Sequence, residues 1–189
     1  MLAKIKRKVN RLLGIKKIYP SETSKVRHLV LSYCVGYGCD IGFGGDKIAK
    51  TNCVGIDYAV PYALTGKDKV DIACDVMNEK IPVEDNTFDY VYSSHLIEDF
   101  VDTKKALKEF IRILKPSGNL ILVFPDQKIY EQTCLKTGQP LNLHHIHKEM
   151  GQAFMLQQLK EIEDTKYSLL FSSNCAVDYN VVLVLQIIK

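Results

Sequence analysis

The last quarter of the chain restricts the fold most. Two β-rich runs there, "YSLLFSSNCAV" and "NVVLVLQIIK", are separated by only a few residues around Asp178 to Asn180. That gap is too short for a crossover, so the two runs must pair as an antiparallel hairpin. Upstream, short apolar runs suited to buried strands recur at "CDIG", "CVGIDY", "VDIACD", "FDYVYSS" and "NLILVFP", with helical or loop material between them. "DTKKALKEFIRILKPSG" is the clearest helix, with Asp102 as N-cap, Ala106, Leu107, Phe110, Ile111 and Leu114 on one face, and Pro116 and Gly118 as its stop. "SETSKVRHLVLSY" and "GQAFMLQQLKEIED" read as two more. Strands that alternate with helices predict a parallel sheet covered on both faces. The expected fold is therefore α/β, a doubly wound, mostly parallel seven-stranded sheet finished by a C-terminal antiparallel hairpin.

A chain of 189 residues suits one well-packed core with a terminal appendage. The six cysteines form no C-x-x-C pair, which reads as buried reduced thiols. No apolar run is long enough to cross a bilayer, and the N-terminus lacks the apolar core of a secretory signal, so a cytoplasmic location is expected. The net charge of +3 conceals an asymmetry, because residues 1–17 hold seven Lys/Arg and no acid and leave the remainder close to −4. Leu2, Ile5, Val9, Leu12 and Leu13 place an apolar stripe against that basic face. Residues 1–19 then form a basic amphipathic helix that docks on its own domain, on a partner, or on anionic lipid at the inner face of a membrane, and residues 20–189 form the main domain. Oligomeric state is not readable.

Ligands of open parallel sheets bind at the carboxyl ends of the strands. Strand one ends in Asp40 and a loop containing Gly42, Gly44 and Gly45, where missing side chains let the backbone approach a ligand. Strand two ends in Asp57, placed for a ribose diol. Strand three ends in Asp75, strand four in "SSHLIED", and strand five in Pro125 and Asp126. Asp46 stands where a third glycine would complete a dinucleotide-binding loop, which argues against a nicotinamide oxidoreductase.

These residues carry a resemblance. "CDIGFGGDKI", "VGIDY", "ACDVMNEKIPVEDNTFDYVYSSHLIEDF" and "ALKEFIRILKPSGNLILVFPD" resemble, in order from about Gly36 to Asp126, the class I S-adenosylmethionine-dependent methyltransferases, particularly their type 11 branch. "DIGFGGDKI" with "NLHHIHKEM" is also similar to small bacterial methyltransferases found with cell-surface polysaccharide biosynthesis. The resemblance implies a Rossmann-like fold, S-adenosyl-L-methionine as cofactor and S-adenosyl-L-homocysteine as product. Asp40, Gly42, Phe43 and Gly44 match the cofactor loop, and Asp57 with Tyr58 the ribose position. Asp75 and Val76 match the adenine edge, and Ser93 to His95 the floor beneath the sulfonium. One departure stands out: sixteen residues separate Asp40 from Asp57, too few for the family's long first helix.

The implied reaction is methyl transfer to a hydroxyl of a sugar, glycan or other small acceptor. A relative that binds cofactor or partner without turnover is the alternative. Candidate bases are His95, Asp126 and His144. His145 and His147 would point together in extended structure, but two imidazoles without a firm third ligand predict no metal site. Residues 126–150, polar and holding Gly, Pro and His, read as a substrate lid. Basic and aromatic residues do not interleave there, so nucleic acid is not the expected partner.

Overall fold

In the computed structural model, which describes residues 20–61, 65–163 and 165–189, seven strands form one sheet in the order β3-β2-β1-β4-β5-β7-β6. The predicted N-terminal helix, residues 1–19, lies outside the described residues. Strands β1 (Gly38–Ile41), β2 (Cys53–Asp57), β3 (Ile72–Ala73), β4 (Phe88–Ser94) and β5 (Leu114–Pro125) run parallel. The hairpin β6 (Lys166–Ser173) and β7 (Asn180–Ile188) is antiparallel, and β7 inserts against β5 with Leu122 opposite Leu183. The expected mostly parallel sheet with a reversed C-terminal pair is what the chain adopts.

Alternation along the central strands divides the core between two faces. Leu120, Leu122 and Phe124 turn toward helices α2 (Thr103–Ile113) and α4 (Gln152–Lys160), whose Leu107, Phe110, Met155 and Leu159 are buried in the same cluster. Ile121 and Val123 turn to the other face, where Val26 and Val30 of α1 (Glu22–Val30) cover them together with Ile48. Helices α1 and α2 each start at a side-chain cap. Ser21 accepts from Ser24 N at 2.9 Å, and Asp102 from Lys105 N at 2.9 Å. Helix α2 ends at Ile113 and passes directly into β5, so Pro116 and Gly118 lie inside a long strand and not in a turn that ends the helix.

Two departures bear on the site. Between β1 and β2 there is no helix, as the short spacing requires, and α1 takes over the covering of that face of the sheet. The expected lid, residues 126–150, begins as a helix, α3 (Gln127–Thr137), capped by Asp126 and closed by Gly138 in the left-handed region at φ 68°. Only three of its residues are buried, so its apolar periodicity is faint. The irregular lid is thus reduced to residues 139–151.

Candidate functional site

The carboxyl ends of β1, β2 and β4 open onto a narrow cleft lined by Gly42, Gly44, Asp57, Tyr58, Val76 and His95, with Pro61 and Leu96 at its sides. Asp57 is the fixed point of this cleft. Its Oδ2 accepts from Gly44 N at 2.9 Å and its Oδ1 from Tyr58 N at 2.8 Å, so one backbone donor orients each oxygen and further lone pairs stay available. Burial raises its pKa against the pull of these two donors. Tyr58 then donates from its hydroxyl to Asp75 Oδ1 at 3.1 Å, which ties the third strand's acid to the second's. Asn78 foremost, with Tyr58, holds the Asp75 carboxyl below its ordinary range.

The glycines follow from close packing. Gly42 has φ 70°, and a Cβ there would lie 2.8 Å from Leu96 Cδ2. Gly42→Ala is accordingly expected to strain the loop and weaken binding of S-adenosylhomocysteine several-fold in calorimetric titration. A Cβ on Gly66 would lie 1.9 Å from the Gly45 carbonyl oxygen, and Thr65 N and Asp68 N donate to Gly44 and Gly45 carbonyls at 2.7 and 2.8 Å. The chain after β2 therefore lies directly on the glycine loop. Asp46, the residue in place of a third glycine, pairs with Arg27 at 2.8 Å and Lys50 at 3.1 Å and accepts from the Ser21 hydroxyl. It pins α1 to the loop. Those three partners outweigh burial and keep its carboxyl below the usual range.

Residues 29–122 match the family model of a methyltransferase domain. The demethylmenaquinone methyltransferase of Bacillus cereus (strain B4264) is 33% identical over 137 residues, 66% of this chain and 53% of the relative. The chain thus spans about half the length of the curated relatives it matches. The chain belongs to the S-adenosylmethionine-dependent methyltransferases. In fold, the methyltransferase resembles a SAM-dependent methyltransferase of Archaeoglobus fulgidus, at 13% identity with TM-score 0.61 over 87% of this chain and 92% of that one. It also resembles one of Aquifex aeolicus, at 15% identity with TM-score 0.56 over 92% and 100%.

S-adenosylmethionine is the family's cofactor, and the donor set of the cleft fits it. The lining residues include a carboxylate with both oxygens pre-oriented, two glycines and apolar side chains, and no Lys or Arg. An acid at the tip of the second strand suits the diol of a ribose. The cleft holds only about 40 Å³, well below the roughly 300 Å³ or more usual for a bound ligand of such size. A larger hollow, about 410 Å³, lies beyond Val76 between Met77, Phe100, Ala106 and Arg112; of its two carboxylates, Glu109 is paired with Arg112 at 2.8 Å and Glu79 accepts from Asp75 N at 3.4 Å.

The remaining sequence candidates occupy different places. Asp40 is fully buried beneath the loop, with Oδ2 accepting from Ile48 N at 2.7 Å and Oδ1 without a partner among the described residues. Phe43 packs over Gly55, and Ser93 donates from Oγ to the Ile41 carbonyl at 3.1 Å, so both support the loop from below. Asp126 caps α3 by accepting from Ile129 N at 3.1 Å. His144 is exposed on the lid, its backbone N–H donating to Asn142 Oδ1. His147 leaves its neighbour and bonds the Phe100 carbonyl at 2.7 Å.

His95 alone of the three candidate bases lines the cleft. It has φ 52°, a left-handed conformation costly for a non-glycine residue, and its N–H donates to the Val123 carbonyl. Its Nε2 lies 2.8 Å from Asn180 Oδ1, and its Nδ1 lies 3.2 Å from Glu98 Oε1. Burial alone would lower its pKa, but Glu98 and Glu22 outweigh that and raise it. Glu98 is not evident from the sequence because it lies four residues beyond the strand end, in a turn (Ile97–Asp99) that only the fold brings inward.

Burial raises Asp40 well above the ordinary aspartate range. The folded chain then binds more protons than the unfolded one at pH above about 4, and stability falls as pH rises from there toward the folded pKa. In Asp40→Asn this slope is expected to flatten, measured as melting temperature between pH 4 and 8 beside the parent.

Proposed function

We propose that this chain transfers the methyl group of S-adenosylmethionine to a hydroxyl of a small-molecule or glycan acceptor. The observation that carries the reading is Asp57, held by Gly44 N–H and Tyr58 N–H at the end of β2, in a cleft whose described lining holds no Lys or Arg. The sulfonium supplies an electrophilic methyl group, so the protein's work is to bind and align. Gly42 and Gly44 give the loop close approach, Asp57 holds the ribose hydroxyls, and Val76 with Tyr58 borders the base. His95, Asp126 and His144 remain the proposed acid–base set, with His95 nearest the cofactor and the lid carrying His144. The basic residues 1–17 would hold the enzyme near an anionic membrane surface where a lipid-linked acceptor is presented. Among the described residues no helix is long and apolar enough to cross a membrane.

Purified protein incubated with methyl-labelled S-adenosylmethionine and panels of sugar and quinone acceptors tests the reading. Quinones join the panel because the Bacillus cereus relative is named for demethylmenaquinone. Label transfer that His95→Gln reduces by about 10²–10⁴-fold would support both the reaction and a base at that position. Affinity for S-adenosylhomocysteine with no transfer to any acceptor would favour the second reading, a partner-binding relative without turnover, which the narrow cleft and the missing first helix support.

A further inference from the structure

A buried carboxylate with no directed hydrogen bond lies between two imidazoles at the foot of the lid. Glu98 is 1% exposed, and neither of its oxygens has a hydrogen-bond partner among the described residues. His95 Nδ1 lies 3.2 Å and His145 Nε2 3.7 Å from Glu98 Oε1, and the three atoms fall within 4.8 Å of one another.

The outer partners determine which nitrogen of each ring carries the proton. Asn180 Nδ2 donates to Glu22 Oε2 at 2.9 Å, so its carbonyl oxygen must face His95 Nε2, which therefore carries the proton and donates. Gln127 Nε2 donates to Glu131 Oε1 at 3.0 Å, so its carbonyl oxygen faces His145 Nδ1, which likewise donates. Each imidazole thus presents its other nitrogen to Glu98. Two ring nitrogens and a carboxylate turned toward one point share a positive charge, carried by a proton on His95 or, in its place, by a bound cation. An amide carbonyl behind each imidazole is also the kind of outer partner that orients metal-binding histidines.

We propose that His95, Glu98 and His145 bind one divalent first-row transition ion of the Zn²⁺ class, contrary to the sequence expectation of no metal. The spacing suits it. Donors about 2.0–2.1 Å from a tetrahedral zinc lie roughly 3.3–3.4 Å apart, close to the separations of 3.2 and 3.7 Å from Glu98 Oε1. The third edge, between the two imidazole nitrogens and within 4.8 Å, would contract on binding. The mixed nitrogen and oxygen donors favour zinc, cobalt or nickel over magnesium or calcium. The ion would clamp His145 of the lid to the turn after β4, and with both of its nitrogens engaged His95 would then position the lid beside the cleft and leave the base role of the proposed reaction to Asp126 or His144. His147, the other histidine suggested by sequence, takes no part.

The full chain, treated with chelator and dialysed, is titrated with zinc chloride by calorimetry and with Co²⁺ by visible absorption. One Zn²⁺ per chain and Co²⁺ bands of a four-coordinate centre are expected. Glu98→Gln, which keeps shape, and His145→Gln should each lower Zn²⁺ affinity at least about 100-fold, and Gln127→Ala about 10–100-fold. His28→Ala, exposed on α1, should leave it unchanged. S-adenosylhomocysteine binding, followed in the same samples, reports separately on the cofactor cleft. Absence of stoichiometric Zn²⁺ binding by the parent would overturn the proposal, as would undiminished affinity in both Glu98→Gln and His145→Gln. If either variant fails to fold, the parent stoichiometry and Gln127→Ala still decide.

Discussion

Asp57→Asn is expected to weaken binding of S-adenosylhomocysteine by at least about tenfold, with about 100-fold as the upper expectation. A hydrogen bond to a charged acceptor contributes about 1.5–3 kcal/mol, and tenfold in affinity corresponds to about 1.4 kcal/mol. Asparagine keeps the outline of the side chain, yet each carboxylate oxygen of Asp57 already faces a backbone N–H, from Gly44 on one side and Tyr58 on the other. The amide must turn its NH₂ toward one of those donors. The loop and the ribose position are therefore disturbed together. Calorimetric titration of variant and parent measures the effect, and a melting curve of the variant separates lost affinity from lost fold. Unchanged affinity would remove Asp57 from the cofactor site and with it the observation on which the proposed function rests.

Phe110→Ala is expected to destabilise the fold by about 3–5 kcal/mol, which for a chain of this size lowers the melting temperature by roughly 6–20 °C. Phe110 is 1% exposed, and its ring meets Phe100 edge to face, with centroids 6.2 Å apart and planes at 89°. It is among the largest side chains wholly inside the core between α2 and the sheet. The consequences reach the site, because the Phe100 carbonyl holds His147 of the lid. Thermal unfolding with far-UV circular dichroism gives the number. Leu135→Ala, at a position 82% exposed on α3, serves as comparison and should stay within about 0.5 kcal/mol of the parent.

Parts of the site were legible because they depend on local sequence. An apolar run that ends in an acid marks both a buried strand and the residue at its tip, so Asp57 and Asp75 could be placed by reading along the chain. Caps are local too: Ser21 and Asp102 each bond a backbone N–H three residues on, whereas Asp126, read as a candidate base, does the same at the start of a helix that the sequence did not reveal. Even the missing first helix followed from a count of residues between Asp40 and Asp57.

Other features required contacts between distant residues. Asp46 reads as a lost glycine, whereas its ion pair with Arg27, nineteen positions away, shows it fastening α1 to the loop. His145 and His147 look like a pair on an extended strand. The fold sends one to Glu98 and the other to the Phe100 carbonyl.

The sequence by itself determined the strand order of events along the chain, the reversed final hairpin, the acids at the strand tips and the glycine loop, since each is encoded within a few consecutive residues. Only the tertiary structure decided that α1 covers the face left bare by the short crossover, and that the segment after β2 lies on the glycine loop. It also decided that Glu98 meets two histidines fifty residues apart. The reason is the same in each case. A buried charge or an uncovered apolar face must find its partner in space, and the backbone path that supplies the partner is set by packing of the whole sheet.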